Sequence, residues 1–253
     1  MKSLTIFSCI LLASFLLACS PRLLHKPYEE QKVKLLYGKS ISDAAHPDAS
    51  EISTQLTPIN SENDQLRWKT IDNEQYILVS TWTKDTTFYK TRPEGRNDFN
   101  TGIGEIWVTI VPELQKLCRE EKFGRKEGLD LRLKQLIGLP PTTTKTHFVE
   151  IWVQPKDLFR PCPDADIQDN QCDLCFSENV EESYVEWFNK LRVNSYYNCN
   201  WDWNYPWTQL GYTYDWNPKN KTHQGLSEFI IRQQSDIWVN AVYSTEEYCQ
   251  PVK

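Results

Sequence analysis

From Leu66 onward, apolar residues recur in short runs separated by polar and turn-forming residues. Tyr76-Ile-Leu-Val-Ser-Thr-Trp82 and Glu105-Ile-Trp-Val-Thr-Ile-Val111 are rich in β-branched and aromatic side chains and predict strands. Residues 148–153, 209–214, 227–232 and 237–243 read the same way. Three stretches switch to helical spacing. Pro112 is placed to open the first at its leading position, with Leu114, Leu117 and Cys118 on one face. The second carries Leu129, Leu133, Leu136 and Ile137 and stops at Gly138-Leu-Pro-Pro. The third has Asn179 as N-cap, Glu182 three residues on, and a stripe of Tyr184, Trp187, Phe188 and Leu191. Strands and helices do not alternate strictly, which predicts a single mixed α+β domain with an antiparallel-rich sheet and about three helices. The block Glu-Ile-Trp-Val occurs at 105–108 and 150–153, and Asp-Ile-Trp-Val at 236–239. The flanks of these blocks do not match, so they share a strand chemistry rather than an ancestral repeat.

The N-terminal pattern is different. Met1-Lys2 precedes fifteen residues without a charge, Leu4 to Ala18. A bilayer-spanning helix takes about 20 apolar residues, so this run is short for an anchor and reads as an export signal. It ends in Leu16-Leu17-Ala18-Cys19, which resembles the lipobox of bacterial lipoproteins. That resemblance implies cleavage before Cys19 and a membrane partner reached through lipid on the Cys19 thiol and the new amino group. Each buried CH₂ contributes about 0.8 kcal/mol, so two or three acyl chains would hold the protein without a transmembrane helix. Ser20 in place of Asp after the cysteine implies the outer membrane in enterobacterial sorting. Residues 1–18 are therefore expected as a signal peptide, 19–65 as the lipidated cysteine with a polar tether, and 66–253 as the globular domain. In the tether no apolar period holds beyond a turn; the competing reading is that a piece such as 33–37 docks on the domain as a strand.

Composition sharpens this division. With 40% hydrophobic and 13% aromatic residues the chain has material for a real core, and its net charge of −6 leaves no basic footprint for nucleic acid. Cys9 leaves with the signal and Cys19 takes the lipid. Cys118, Cys162, Cys172, Cys175, Cys199 and Cys249 remain, an even set that predicts three disulfides in an exported domain, with the pairing open. Cys172-x-x-Cys175 has zinc spacing but no second pair, and Asp164, Asp166 and Asp169 depart from the EF-hand pattern at positions six and twelve. No metal and no cofactor is assigned.

Candidate chemistry concentrates near the C-terminus. Residues 201–216 hold four Trp and three Tyr. Flat apolar faces with polar handles suit stacking on a glycan or contact with a protein partner, so Trp201, Trp203, Trp207, Tyr212, Tyr214, Asp215 and Trp216 are the candidate binding residues. The competing reading packs these aromatics into the core. No Gly-x-Ser-x-Gly, His-Glu-x-x-His or P-loop motif is present. Leu136-Ile-Gly-Leu-Pro-Pro, Leu158-Phe-Arg-Pro-Cys-Pro-Asp, 206–216 and Gly225-Leu-Ser-Glu-Phe-Ile together resemble a family of exported bacterial proteins without an established activity. Ser227-Glu228-Phe-Ile-Ile-Arg-Gln-Gln-Ser-Asp-Ile-Trp-Val resembles the closing strands of ADP-ribosyltransferases. That likeness implies a catalytic Glu228 working with an arginine, Arg92 or Arg160. Leu226 departs from the pattern, since many such enzymes carry Glu or Gln two residues before the catalytic Glu. Three readings follow: an envelope lipoprotein whose aromatic domain binds a partner or glycan, an exported transferase-like enzyme, and a purely structural envelope component.

Overall fold

The structure, a computed structural model, describes residues 22–90, 96–98, 104–120, 122–124 and 126–251. The expected signal peptide and Cys19 lie outside these residues. The strands are β1 (Trp68–Ile71), β2 (Glu74–Thr83), β3 (Arg96–Asp98), β4 (Ile106–Ile110), β5 (His147–Val153), β6 (Leu158–Phe159), β7 (Tyr212–Tyr214), β8 (Gln224–Ile231) and β9 (Asp236–Ser244). They form one mixed α+β domain around an antiparallel sheet in the order β3-β9-β5-β2-β4-β8-β6. β1 pairs with the start of β2, and β7 adds to β8. The helices are α1 (Arg22–Ala44), α2 (Thr87–Lys90), α3 (Glu113–Cys118), α4 (Leu129–Leu136), α5 (Glu182–Tyr196) and α6 (Thr245–Tyr248).

Strand register divides the sheet into two unlike faces. Residues directly opposite on neighbouring strands share a face, and each strand alternates faces with period two. Val79 pairs with Ile110 and Ile151, Ile77 with Val153, Val108 with Phe229 and Ile106 with Ile231. All are buried in a single aliphatic cluster, closed by Ile59, Leu66 and Leu158. The opposite face carries Ser80, Trp82, Trp107, Thr109, Phe148, Glu150, Leu226 and Glu228. It is covered by α3, α4 and α6 on one side, through Leu114, Leu133, Leu136 and Tyr248. On the other side α1, α5 and the aromatic segment cover it, through Tyr37, Ile41, Phe188 and Trp207.

Several elements depart from the sequence expectation, each for a physical reason. The stretch read as a polar tether contributes the 23-residue helix α1, whose Tyr37, Ile41 and Ala44 are buried. The Tyr37 hydroxyl donates to the Asn204 carbonyl at 2.8 Å, and Tyr214 donates to the Asp43 carboxylate at 2.6 Å. Leu56, Ile59 and Leu66 then tuck into the cores. The spacing Val33, Leu36, Tyr37, Ile41, Ala44 is helical, but interleaved lysines and serines dilute it. The strand expected over 209–214 begins only at Tyr212, because Gln209 and Gly211 take positive φ (63° and 76°). Pro112 is the N-cap of α3 rather than its first residue, and Glu181 rather than Asn179 precedes α5.

Two disulfides form among the described residues, Cys118–Cys249 and Cys162–Cys172, not the three expected. The first ties the end of α3 to the end of α6 across 131 residues; the second closes the acidic loop after β6. Cys175 and Cys199 are exposed, free thiols. They precede and follow α5.

Gly211 sits where a side chain has no room. A Cβ there would lie 2.6 Å from both Arg160 Cδ and Cys172 Sγ, at a φ that disfavours L side chains. Gly38, inside α1, has nothing within 4 Å. Gly211→Ala is expected to cost about 2 kcal/mol or more, and Gly38→Ala to stabilise by about 0.5–1 kcal/mol. Chemical denaturation of the two variants checks both signs.

Candidate functional site

Four polar side chains cross the second face of the sheet in one row. Glu228 on β8 is opposite Thr109 on β4, Thr109 is opposite Ser80 on β2, and Ser80 is opposite Glu150 on β5. Ser80, Thr109 and Glu150 are buried. Ser80 and Thr109 place their hydroxyls 3.4 Å apart, and Glu150 accepts from the Asn240 amide at 2.7 Å. Glu228 differs from the others. No described side chain or backbone group hydrogen-bonds its carboxyl, although its own backbone N–H donates to the Gly211 carbonyl at 3.0 Å. Burial pushes its pKa up to about 8. Desolvation favours the protonated form, so the group is largely neutral at pH 7.

Glu228 opens into a cavity of about 400 Å³, within the range of small-molecule sites. Trp107, Trp203, Tyr205, Trp207 and Tyr214 line it alongside Glu228. Trp82 and Phe148 form another part of its wall, their rings stacked with centroids 5.6 Å apart. Lys145, from the loop after α4, is the cationic side chain lining the cavity. Its amine donates to the Trp82 carbonyl at 2.7 Å, and burial lowers its pKa.

The structure separates the aromatic candidates into two groups. Trp207, Tyr212, Tyr214 and Trp216 are buried, and their polar atoms are committed inside the protein. Trp216 donates its indole N–H to the Lys134 and Leu139 carbonyls, each at 3.1 Å. Trp207 donates to the Pro161 carbonyl at 3.2 Å and Tyr212 to the Glu51 carbonyl at 2.9 Å. Trp207 and Tyr214 still present part of their rings to the cavity, whereas Tyr212 and Trp216 do not line it. Trp201 is half-buried against Tyr37, and Trp203 stands 62% exposed at the cavity edge. Asp215 is buried away from the cavity and holds Arg132 of α4 through two bonds of 2.9 and 2.8 Å, a bidentate structural pair.

Arg160 is fully buried, bonds Asp169 at 2.5 Å and lies over the Phe229 ring, on the opposite face of the sheet from Glu228. Arg92 lies outside the described residues. No described arginine lines the cavity. In the acidic loop, Asp164 and Asp166 accept backbone N–H groups from Asp166 and Gln168, and Asp169 serves Arg160. Among the described residues no group of His, Cys, Asp and Glu is arranged to hold a metal ion.

Sequence reasoning passed over Trp107, Lys145, Ser80 and Thr109. The signal for Trp107 was present, since its Ile-Trp-Val block alternates like the other strands. Lys145 had none, because only the path of the 137–146 loop brings it to the cavity.

Glu228 makes stability depend on pH. Its folded pKa lies above the ordinary glutamate value, so its contribution is complete below about pH 4.5 and is lost as pH rises through about 8. Glu113, buried beside Thr57 and raised to about 7, adds a slope of the same sign at lower pH. Glu228→Gln should therefore flatten the decline between pH 5 and 8.5 while leaving the share of Glu113. Urea midpoints measured across that range test this, and an unchanged slope would contradict a desolvated Glu228.

The chain matches no family model, no curated protein and no solved structure.

Proposed function

We propose that this is an exported, lipid-anchored envelope protein whose domain binds a small saccharide, or the end of a glycan, in the Glu228 cavity. The observation that carries the binding reading is a carboxyl with no protein hydrogen-bond partner inside a cavity walled by indole and phenol rings. Glu228 is half-buried and lines the cavity, so a ligand that fills the cavity removes solvent from the carboxyl and a ligand hydroxyl would supply a bond in its place. Sugar rings offer an apolar C–H face to an indole and hydroxyls to a carboxyl. Trp203, at the edge of the cavity, is placed to close over such a ring. A purely structural domain has no need of a roomy cavity around an unpaired acid. The transferase-like reading requires an arginine beside Glu228, and none of the described arginines supplies it.

Two disulfides favour an oxidising compartment outside the cytoplasm. No described helix is long and apolar enough to cross a membrane. Lipid on Cys19 would therefore carry the attachment. Labelling with a radioactive or clickable fatty acid should mark the wild type and not Cys19→Ala, which should leave the membrane fraction; label retained on that variant would refute the assignment.

Binding is tested by following tryptophan fluorescence while titrating gluco-configured mono- and disaccharides. Saturable quenching or enhancement is expected. Trp203→Ala removes an exposed ring and should weaken binding about tenfold with little loss of stability. Equal affinity of wild type and variant would remove Trp203 from the site.

A further inference from the structure

The electrostatic character of the cavity narrows the ligand further, resting on the saccharide reading above. The faces of aromatic rings carry negative potential, and Trp107, Trp203, Trp207, Tyr205 and Tyr214 surround the space next to the Glu228 carboxyl. The nearest comparable sites elsewhere in this chain are already filled by its own cations. Arg232 lies 4.6 Å from the Phe159 ring centroid, Arg160 5.4 Å from Phe229, and Arg132 5.2 Å from Phe123. Two of these guanidinium groups also meet a carboxylate, Asp169 for Arg160 and Asp215 for Arg132. At Glu228 the rings and the carboxyl line one cavity, and among the described residues no cation is recorded over those rings. Lys145 does not take that role, because its ammonium group is bound to the Trp82 carbonyl and forms no ion pair with Glu228.

We propose that the cavity selects a ligand bearing an ammonium group, an amino sugar in its unacetylated form, with the ammonium seated between the Glu228 carboxylate and the tryptophan faces. The seated ammonium donates to Glu228 and completes the acid-and-ring arrangement that Arg160 and Arg132 complete elsewhere. The same contact converts Glu228 from acid to carboxylate, so binding near neutral pH releases the carboxyl proton to solvent. Lys145, at another part of the wall, is left to receive a ring hydroxyl.

The other titratable groups near Glu228 do not mimic this proton release. Tyr196 of α5 is close enough to sense its charge, and Tyr205 and Tyr214 line the cavity; burial raises all three phenols, which stay protonated. Lys145 faces the cavity from the loop after α4. Glu113 of α3 also titrates near 7, but it is engaged by Thr57 from the segment that precedes β1 and does not line the cavity. Thr109, the direct neighbour on β4, does not titrate.

The test compares glucosamine with glucose on the full protein at pH 7 by calorimetry, in two buffers of different ionisation enthalpy. Glucosamine is expected to bind about tenfold or more tightly than glucose, the worth of one charge-assisted bond in a buried site. It should release close to one proton per site, and glucose none. Glu228→Gln should abolish both the preference and the proton release. The wild-type comparison stands even if that variant folds poorly. Equal affinity for the two sugars, or tighter glucosamine binding without proton release, would overturn the ammonium assignment and leave the saccharide reading intact. Failure of both sugars to bind at millimolar concentration would overturn both.

Discussion

A side chain on a β-strand faces one of two ways, and the antiparallel register of this sheet extends that choice across four strands at once. When Val79 is set opposite Ile110 and Ile151, the aliphatic face is settled. The next residue along each strand then falls on the other side, which puts Ser80, Thr109, Glu150 and Glu228 in line. A slip of one residue in β5 or β8 would send a carboxyl group into the aliphatic core and an apolar side chain to the other face, a cost on the order of several kcal/mol. The purity of the aliphatic face thus holds the polar row in place. The same parity keeps Arg160, lying over Phe229, on the opposite side of the sheet from Glu228.

The second face cannot close as simply. Sheet and helices there pack through two clusters and also enclose a cavity, whose walls other interactions hold. The Cys118–Cys249 bridge pins α3 beside α6. Arg132 and Asp215 fasten α4 to the end of the aromatic segment, and Trp216 donates to two carbonyls around the turn that ends α4. Helix α1 braces the segment from outside through Tyr37 and Asp43. These contacts are distributed around the cavity and leave Glu228 itself unsupported. A site commonly keeps a locally unfavourable group of this kind because its function uses the missing contact.

The aromatic segment divides its work between packing and the cavity. Tyr212 and Trp216 face inward and satisfy their polar atoms on backbone carbonyls. Trp207 anchors its indole N–H on the Pro161 carbonyl and Tyr214 its hydroxyl on the Asp43 carboxylate, and both also line the cavity. Trp203 makes its contribution from the edge, largely in solvent. An amphipathic ring permits this double use, since its polar handle can be anchored while a face stays available.

The α+β class, six of the main strands and the bodies of α4 and α5 were legible in the chain because each depends on local spacing of apolar residues. The density of Trp and Tyr over 201–216 and the position of Glu228 on a strand were legible for the same reason. The role of Asp215 was not, because an acid that serves a cavity and one that holds Arg132 look alike along the chain. Nor was α1, whose few buried residues are separated by lysines and serines and become a face only against Trp207 and Trp216. Cysteine number was plain in the sequence, but which pairs formed depended on the docking of α3 beside α6 and the path of the loop after β6. The sequence by itself determined which segments become strands and helices, since side-chain periodicity is a local property. Only the tertiary structure decided what meets Glu228, because register, loop paths and helix docking bring together residues from β4, β8, the 137–146 loop and the aromatic segment that share no local signal.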